Sequence, residues 1–532
     1  MKMKRTILPL GALALFGVSA GLMVRTVINP NNIKEVKATA DLGISTISTD
    51  GEFADFITAV NHGTRYDNQL VQLNASVSYE ITVIPTDADP FSIFDGEFDG
   101  CNHTITIKVN FTGSTPSLFG NLGNSEFKKA VFKNTNLNYS VTSGMTSGNV
   151  YVAPIATYNY GLIQNVHSTI NYDEPDVNYV GGLVEKNQST GIIEDCSVAG
   201  SISAKGYVAG IACENLGTIR NCKNNCAITS GIGAYAGGIV AINGSSSFDK
   251  AQITNCVNNA SITSTGKDLG GIVGFMYSNS EMSYCDNYGS ITSTSTASGW
   301  GYGGLIGRMN GKDTDTEHET KVENCYNAGN LKAVRNAGGL IGLVNSEAKP
   351  AIQVTGCLTT GDVNAITANG GTLIGWANSD TLSLDDTYAA GAKVGAAKLG
   401  VGAGTAASTA TSVAKGVSDE FKQVIQYIRE YNCEEEISGF EDLYNGLISK
   451  ENKLLDQLNY YDNLNTYAMK TYKQAAQYII GGDQAQIAMF SLLNMNGLDN
   501  NGTVIVIIIS TIGLSSILLF LAVRGKRNAA NE

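Results

Sequence analysis

Tyr179-Val180-Gly181-Gly182-Leu183-Val184, Tyr207-Val208-Ala209-Gly210-Ile211-Ala212 and Tyr235-Ala236-Gly237-Gly238-Ile239-Val240 are one phrase written three times. With Tyr151 they place four tyrosines at steps of 28 residues, and Asn159, Asn187, Asn215 and Asn243 keep the same step. The phrase returns with drift at Gly270-Gly271-Ile272-Val273, Gly303-Gly304-Leu305-Ile306 and Gly338-Gly339-Leu340-Ile341, then as Thr372-Leu373-Ile374. One short unit cannot bury its own apolar face, so a fixed period of this size means a stacked array.

Two further phrases complete each repeat. One is Gly191-Ile192-Ile193-Glu194-Asp195-Cys196, echoed at Gly217 to Cys222 and Ile253 to Cys256; the other is Gly200-Ser201-Ile202-Ser203, echoed at Ala227-Ile228-Thr229 and Ser261-Ile262-Thr263. Short runs rich in Ile, Val and Thr favour strands over helices, and three runs per turn predict three strands per coil. Eight to ten coils at about 4.8 Å would make a rod of roughly 40–50 Å. The paired glycines, with Gly182, Gly210, Gly238, Gly271, Gly304 and Gly339 in second place, mark corners that need either positive φ or close backbone approach. The asparagines suit corners and can bond from coil to coil.

Phe94-Asp95-Gly96-Glu97-Phe98-Asp99-Gly100-Cys101-Asn102-His103-Thr104-Ile105, followed by Gly304-Leu305-Ile306-Gly307 and Gly339-Leu340-Ile341-Gly342, resembles bacterial cell-surface proteins with GLUG repeats. The resemblance covers roughly residues 45 to 390. It implies a right-handed parallel β-helix and adhesin-like company, with some members being immunoglobulin-cleaving metalloproteases. Cys101-Asn102 departs from the family's Asn-Gly, and Pro154 replaces a repeat glycine.

Around the array the chain divides further. Lys2, Lys4 and Arg5 before the apolar run Ile7 to Val24 make residues 1–40 a signal peptide or an uncleaved signal anchor. Residues 41–150 carry an N-terminal cap and the first coils. Within them Gly51 to Asn61 has Phe53, Phe56, Ile57 and Val60 at helical spacing, a lid for the first rung. The GLUG-type coils occupy 151–388, and 389–416 is an Ala/Gly/Ser/Thr linker. Phe421, Val424, Ile425 and Ile428 open an α-helical stem over 417–500, a candidate for homo-oligomerisation. Val504 to Val523, followed by Arg524, Lys526 and Arg527, predicts a transmembrane helix over 503–523 with a basic cytoplasmic tail, 524–532. The expected location is the cell membrane, single-pass, with an extracellular body.

Composition narrows the function. A formal charge of −13 with no basic stripe disfavours nucleic acid as a partner. Six of the ten cysteines share one repeat position: Cys196, Cys222, Cys256, Cys285, Cys325 and Cys357. In-register stacking spaces their Cβ atoms wider than a disulfide wants, which predicts a buried thiol ladder; only Cys213 with Cys226 stays open as a pair. Four histidines leave little for acid–base chemistry, and His318-Glu319 lacks the second histidine of a zinc-protease helix, Val322 standing in its place. No catalytic motif and no cofactor is expected. Asp313, Asp315, Glu317 and Glu319 in one insert are either calcium ligands or a solvated acidic loop. Tyr151, Tyr179, Tyr207 and Tyr235 are either a sugar-stacking ladder or internal packing.

These readings converge on a non-catalytic, membrane-anchored surface repeat protein that binds an extracellular glycan or a host or matrix protein. The alternatives are a polysaccharide-acting β-helix enzyme, and a surface scaffold or receptor subunit that oligomerises through its stem.

Overall fold

The computed structural model describes residues 43–82, 92–110, 116–126, 130–141, 148–174, 176–233, 235–247, 250–297, 299–311, 319–346, 352–378, 382–385, 387–389, 393–398 and 400–404. It also describes the strand positions 24–25, 36–37, 489–491, 504–509 and 517–522. The body is a parallel β-solenoid of about ten turns. Its clearest face is an eleven-stranded sheet that starts at Ile93–Phe94 and runs through Val184–Asn187, Ala212–Asn215, Val240–Asn243, Val273–Tyr277, Ile306–Gly311, Ile341–Ser346 and Ile374–Asn378 to Val401–Ala403. Every neighbouring pair in it is parallel.

Each full coil of the repeat contributes four or five strands rather than three. Tyr207–Ala209 and Ala212–Asn215 show why: the glycine phrase is one apolar run in sequence but bends at Gly210-Ile211 into two strands. Thr218–Arg220 and Lys223–Ser230 complete the turn. Lys223–Ser230 alternates exposed and buried without a break, putting Asn224, Cys226, Ile228 and Ser230 inside. Its neighbours Ser197–Ala204 and Ile262–Ser264 stack in register on either side, so each coil covers the apolar row of the next.

Close approach, not backbone handedness, fixes the second glycine of each pair. A Cβ on Gly238 would collide with the carbonyl oxygen of Gly271 in the next coil and with the Asn258 side chain, yet its φ is ordinary. Positive φ belongs to a different corner, one residue before the repeated cysteine: Asp195, Asn221, Asn255, Tyr284, Asn324 and Gly356 all have φ between 53° and 64°. Asn and Asp tolerate this region because their short side chains bond locally.

Asparagine also builds the interior. Asn159 donates to Asn187, Asn187 to Asn215 and Asn215 to Asn243, at 2.8, 2.8 and 2.7 Å. A second row runs Asn224, Asn258, Asn287, Asn327 and ends on Thr359. All these asparagines are buried, and each row satisfies groups that would be costly alone. The first row stops at Asn243 because Met276 occupies the next register position; the Asn243 amide nitrogen is left without a partner.

Helix α1 (Asp50–Asn61) closes the N-terminal end. Thr49 and Glu52 form a capping box, and Phe53, Phe56, Ile57 and Val60 are buried. Phe56 packs edge-on to Phe94 and Phe119 and stacks on Phe98, which stacks in turn on Phe132. The helix therefore plugs the open interior of the first coils with aromatic rings.

Several expectations change. Beyond Thr387 the sequence reads as a worn last coil running into the linker, and strands Lys393–Lys398 and Val401–Ala403, inside the 389–416 stretch, continue the coil by pairing parallel with Val363–Gly371 and Ile374–Asn378. In place of a transmembrane helix over 503–523, Val504–Ile509 pairs antiparallel with Ile517–Ala522. The β-branched run Val504 to Ile509 favours a strand. Among the described residues no helix is long and apolar enough to cross a membrane. The helical stem lies outside the described residues except for Met489–Ser491, a strand beside Val504–Ile509. The signal segment lies outside them too, apart from the pair Val24–Arg25 and Val36–Lys37.

Candidate functional site

The eleven-stranded sheet and the strands just before it present one continuous outward face. Register fixes its contents. Position by position along the sheet come Lys186, Glu214, Ile242, Phe275, Arg308, Leu343, Trp376 and Ala403. Beside them run Tyr151, Tyr179, Tyr207 and Tyr235.

The tyrosines meet one another rather than solvent with their faces. Tyr151 and Tyr179 stack at 4.7 Å, Tyr179 meets Tyr207 edge-on at 5.0 Å, Tyr207 and Tyr235 stack at 4.8 Å, and Tyr235 stacks on Phe275 at 5.2 Å. Tyr179, Tyr207 and Tyr235 also cover a small buried cluster, Ala209, Cys213 and Ala241. Their burial pushes the phenols of Tyr179, Tyr207 and Tyr235 above their ordinary range. A sugar ring stacking on this row meets ring edges along most of its length.

Charge enters where the tyrosines end. Asp268 is fully buried; its Oδ1 accepts the Gly301 N–H at 2.7 Å, and Oδ2 lies 2.9 Å from the Arg308 guanidinium. Arg308 also lies over the Phe275 ring at 4.6 Å and donates to the Tyr235 hydroxyl at 3.4 Å. Lys267 stands 5.6 Å above the Tyr235 ring. Burial raises the Asp268 carboxyl to about 7, opposed by Arg308, the Gly301 N–H and Lys267. Lys186 and Glu214 form an ion pair at 2.8 Å farther along the face.

Beyond Arg308 the face opens into a cavity of about 150 Å³ lined by Gly299, Asn336, Leu343, Asn345, Asn369 and Trp376. Asn336 donates to the Trp300 carbonyl at 2.7 Å and accepts from Asn369 at 3.0 Å. Sequence reading missed this cluster, as it missed Asp268 and Arg308. From Phe275 the steps to Arg308, Leu343 and Trp376 are 33, 35 and 33 residues, so inserts hid the alignment that a 28-residue period revealed elsewhere.

The other predicted residues divide clearly. Cys196, Cys222, Cys256, Cys285, Cys325 and Cys357 are buried, free thiols. Cys222 donates to the Arg220 carbonyl at 3.3 Å and Cys285 to that of Ser283 at 3.3 Å, and burial pushes both thiols well up. Cys213 and Cys226 are free as well, which removes the disulfide left open between them. Asp313, Asp315 and Glu317 lie outside the described residues. Among the described residues no group of His, Cys, Asp and Glu is arranged to hold a metal ion.

No family model and no curated protein matches the chain. Among solved structures it is similar to a "putative immunoglobulin A1 protease from Bacteroides ovatus", at 17% identity and a TM-score of 0.33, over 66% of this chain and 84% of that one. It is also similar to an IgA1 protease, at 13% identity and a TM-score of 0.36, over 92% of this chain and 35% of that one. The chain thus spans about a third of that second structure. Likenesses of this size bear on neither activity nor substrate.

Proposed function

We propose that the chain is a non-catalytic recognition rod displayed outside the cell, binding an extracellular glycan or protein along the face that ends in the Trp376 cavity. The observation that carries this reading is how the polar groups of that face are committed. Asp268 spends both oxygens on Gly301 and Arg308, and Lys186 is held by Glu214. Groups fixed by pairing with one another suit binding by shape and hydrogen bonding better than proton transfer, which needs a group free to reach a substrate. Display outside the cell rests on the order of basic and apolar residues from Lys2 to Val24.

Two experiments test it. Protease added to intact producing cells should cut the body, and the full chain should bind arrayed glycans or matrix proteins without altering them. A body sheltered from protease in intact cells that opens only after lysis would contradict it.

A polysaccharide-acting enzyme is the second reading, favoured by one cluster: a carboxyl near 7 beside Arg308, Lys267 and Tyr235. It predicts new chain ends when acidic or neutral polysaccharides are incubated with the protein, lost in Asp268→Asn.

A further inference from the structure

We propose that the cavity at Trp376 is a binding site for a single neutral pyranose residue, free or within a glycan. The inference rests on the recognition reading above and names its ligand class. Four features of the cavity point to a sugar.

The first is its aromatic wall. Strand Ile374–Asn378 holds Trp376 outward beside Leu343, and the indole is only partly buried. Unlike the tyrosines, it meets no other ring among the described residues, so its face is not consumed by stacking. The C–H face of a pyranose is an apolar plate that lies well on an indole, with Leu343 flanking it.

The second is the kind of polar group around the rim. Three side-chain amides line the cavity: Asn336, Asn345 and Asn369. An amide offers donor and acceptor side by side, the pair that adjacent sugar hydroxyls need. The Asn336–Asn369 bond and the Asn336 hold on Trp300 fix two of them in place before any ligand arrives. The Asn345 amide and the indole N–H have no partner among the described residues and remain available.

The third is the lack of charge. No ionisable side chain lines the cavity; the guanidinium one coil away, Arg308, donates to the Gly299 carbonyl at the cavity edge at 3.4 Å, and its charge is paired with Asp268. With a net charge of −13 the molecule as a whole also repels acidic sugars. A neutral ring is the occupant this wall accepts.

The fourth is room. At about 150 Å³ the cavity suits one ring, not a folded peptide. Gly299 forms one edge, and a Cβ added there would meet nothing within 4 Å, so that side stands open for the next sugar of a chain.

The chain has two tryptophans, which supplies the readout. In full-length Trp300→Phe protein, the remaining fluorescence reports Trp376 alone. Methyl glycosides of glucose, galactose, mannose and N-acetylglucosamine are titrated against it, with methyl glucuronoside as the charged control. At least one neutral glycoside should change the emission saturably, with half-saturation at about millimolar concentration, as expected for one small ligand. Calorimetry with the same glycoside should show binding weakened about tenfold or more by Trp376→Ala, and about fivefold by Asn345→Ala. Tyr207→Ala, in the stacked row, should leave it unchanged, and all three variants should keep the parent's circular dichroism. No saturable response to any neutral glycoside, preference for the glucuronoside, or undiminished binding by Trp376→Ala would overturn the proposal. If those sugars fail while the full chain still binds arrayed matrix proteins on intact cells' outer side, the pocket assignment falls and the recognition reading stands.

Discussion

Tyr284 holds a φ of 56° at a corner where the neighbouring coils use Asn255 and Asn324. A bulky side chain in the left-handed region costs about 1–2 kcal/mol that asparagine largely avoids. Tyr284→Asn should therefore stabilise the protein by roughly 1 kcal/mol, read as a raised denaturation midpoint. A lowered midpoint would mean that the tyrosine ring contributes more than its backbone costs. The six stacked thiols give a second outcome at this scale. Burial keeps reagents away from all six and pushes the Cys222, Cys285, Cys325 and Cys357 thiols up, so iodoacetamide under native conditions should leave Cys196, Cys222, Cys256, Cys285, Cys325 and Cys357 unmodified in peptide mass spectra. Asp268 gives a third. Its carboxyl titrates near 7 in the fold against an ordinary value of 3.8, so the folded state holds the proton more tightly than the unfolded chain. Its contribution to stability is then fullest near pH 4 and falls by at most about 1.4 kcal/mol per pH unit as pH rises towards 7. Asp268→Asn lacks that titration. Its stability deficit relative to the parent should be largest near pH 4 and shrink towards pH 7 in denaturant melts.

At the scale of the element, the asparagine rows hold the coils at one corner while the aliphatic rows hold them inside. Replacing Asn215 by Ala removes the acceptor of Asn187 and the donor to Asn243 at once. Stranding buried polar atoms costs about 1–3 kcal/mol, so Asn215→Ala should lose about 2 kcal/mol or more in a denaturant melt. A loss below a few tenths would show that the row is ornamental to stability. How legible these elements were depended on how local their cause was. The α1 lid could be read directly, because Phe53, Phe56, Ile57 and Val60 keep helical spacing; the Thr49–Glu52 cap at its start came only with the structure. The repeat strands were legible for the same reason, a strict step. The split of the glycine phrase into two strands was not: the bend at Gly210 comes from the approach of the next coil's backbone, a contact between residues 28 apart. The apolar run from Val504 was ambiguous in principle, since length argued for a spanning helix while its β-branched side chains argued for the strand the structure shows.

Over the whole molecule, one face gathers what the interior excludes. Tyr151 through Tyr235 stack in a row, Arg308 and Asp268 lock its far end, and Trp376 opens the cavity beyond. The tyrosine half of that face was visible from the constant step. The cavity half was hidden because inserts lengthen the coils after Asn243, and only three-dimensional register aligns Phe275, Arg308, Leu343 and Trp376. That register is the claim everything else needs, and a distance measures it. Spin labels at Lys186→Cys and Ala403→Cys, with Cys101 and Cys433 replaced by Ser, lie seven strand steps apart along one sheet. Pulsed electron–electron resonance should give a narrow distribution centred at about 34 Å, shortening to about 29 Å when the second label moves back one coil to position 376. A broad distribution, or a distance that does not shorten by one strand spacing on that move, would contradict the stacked coil.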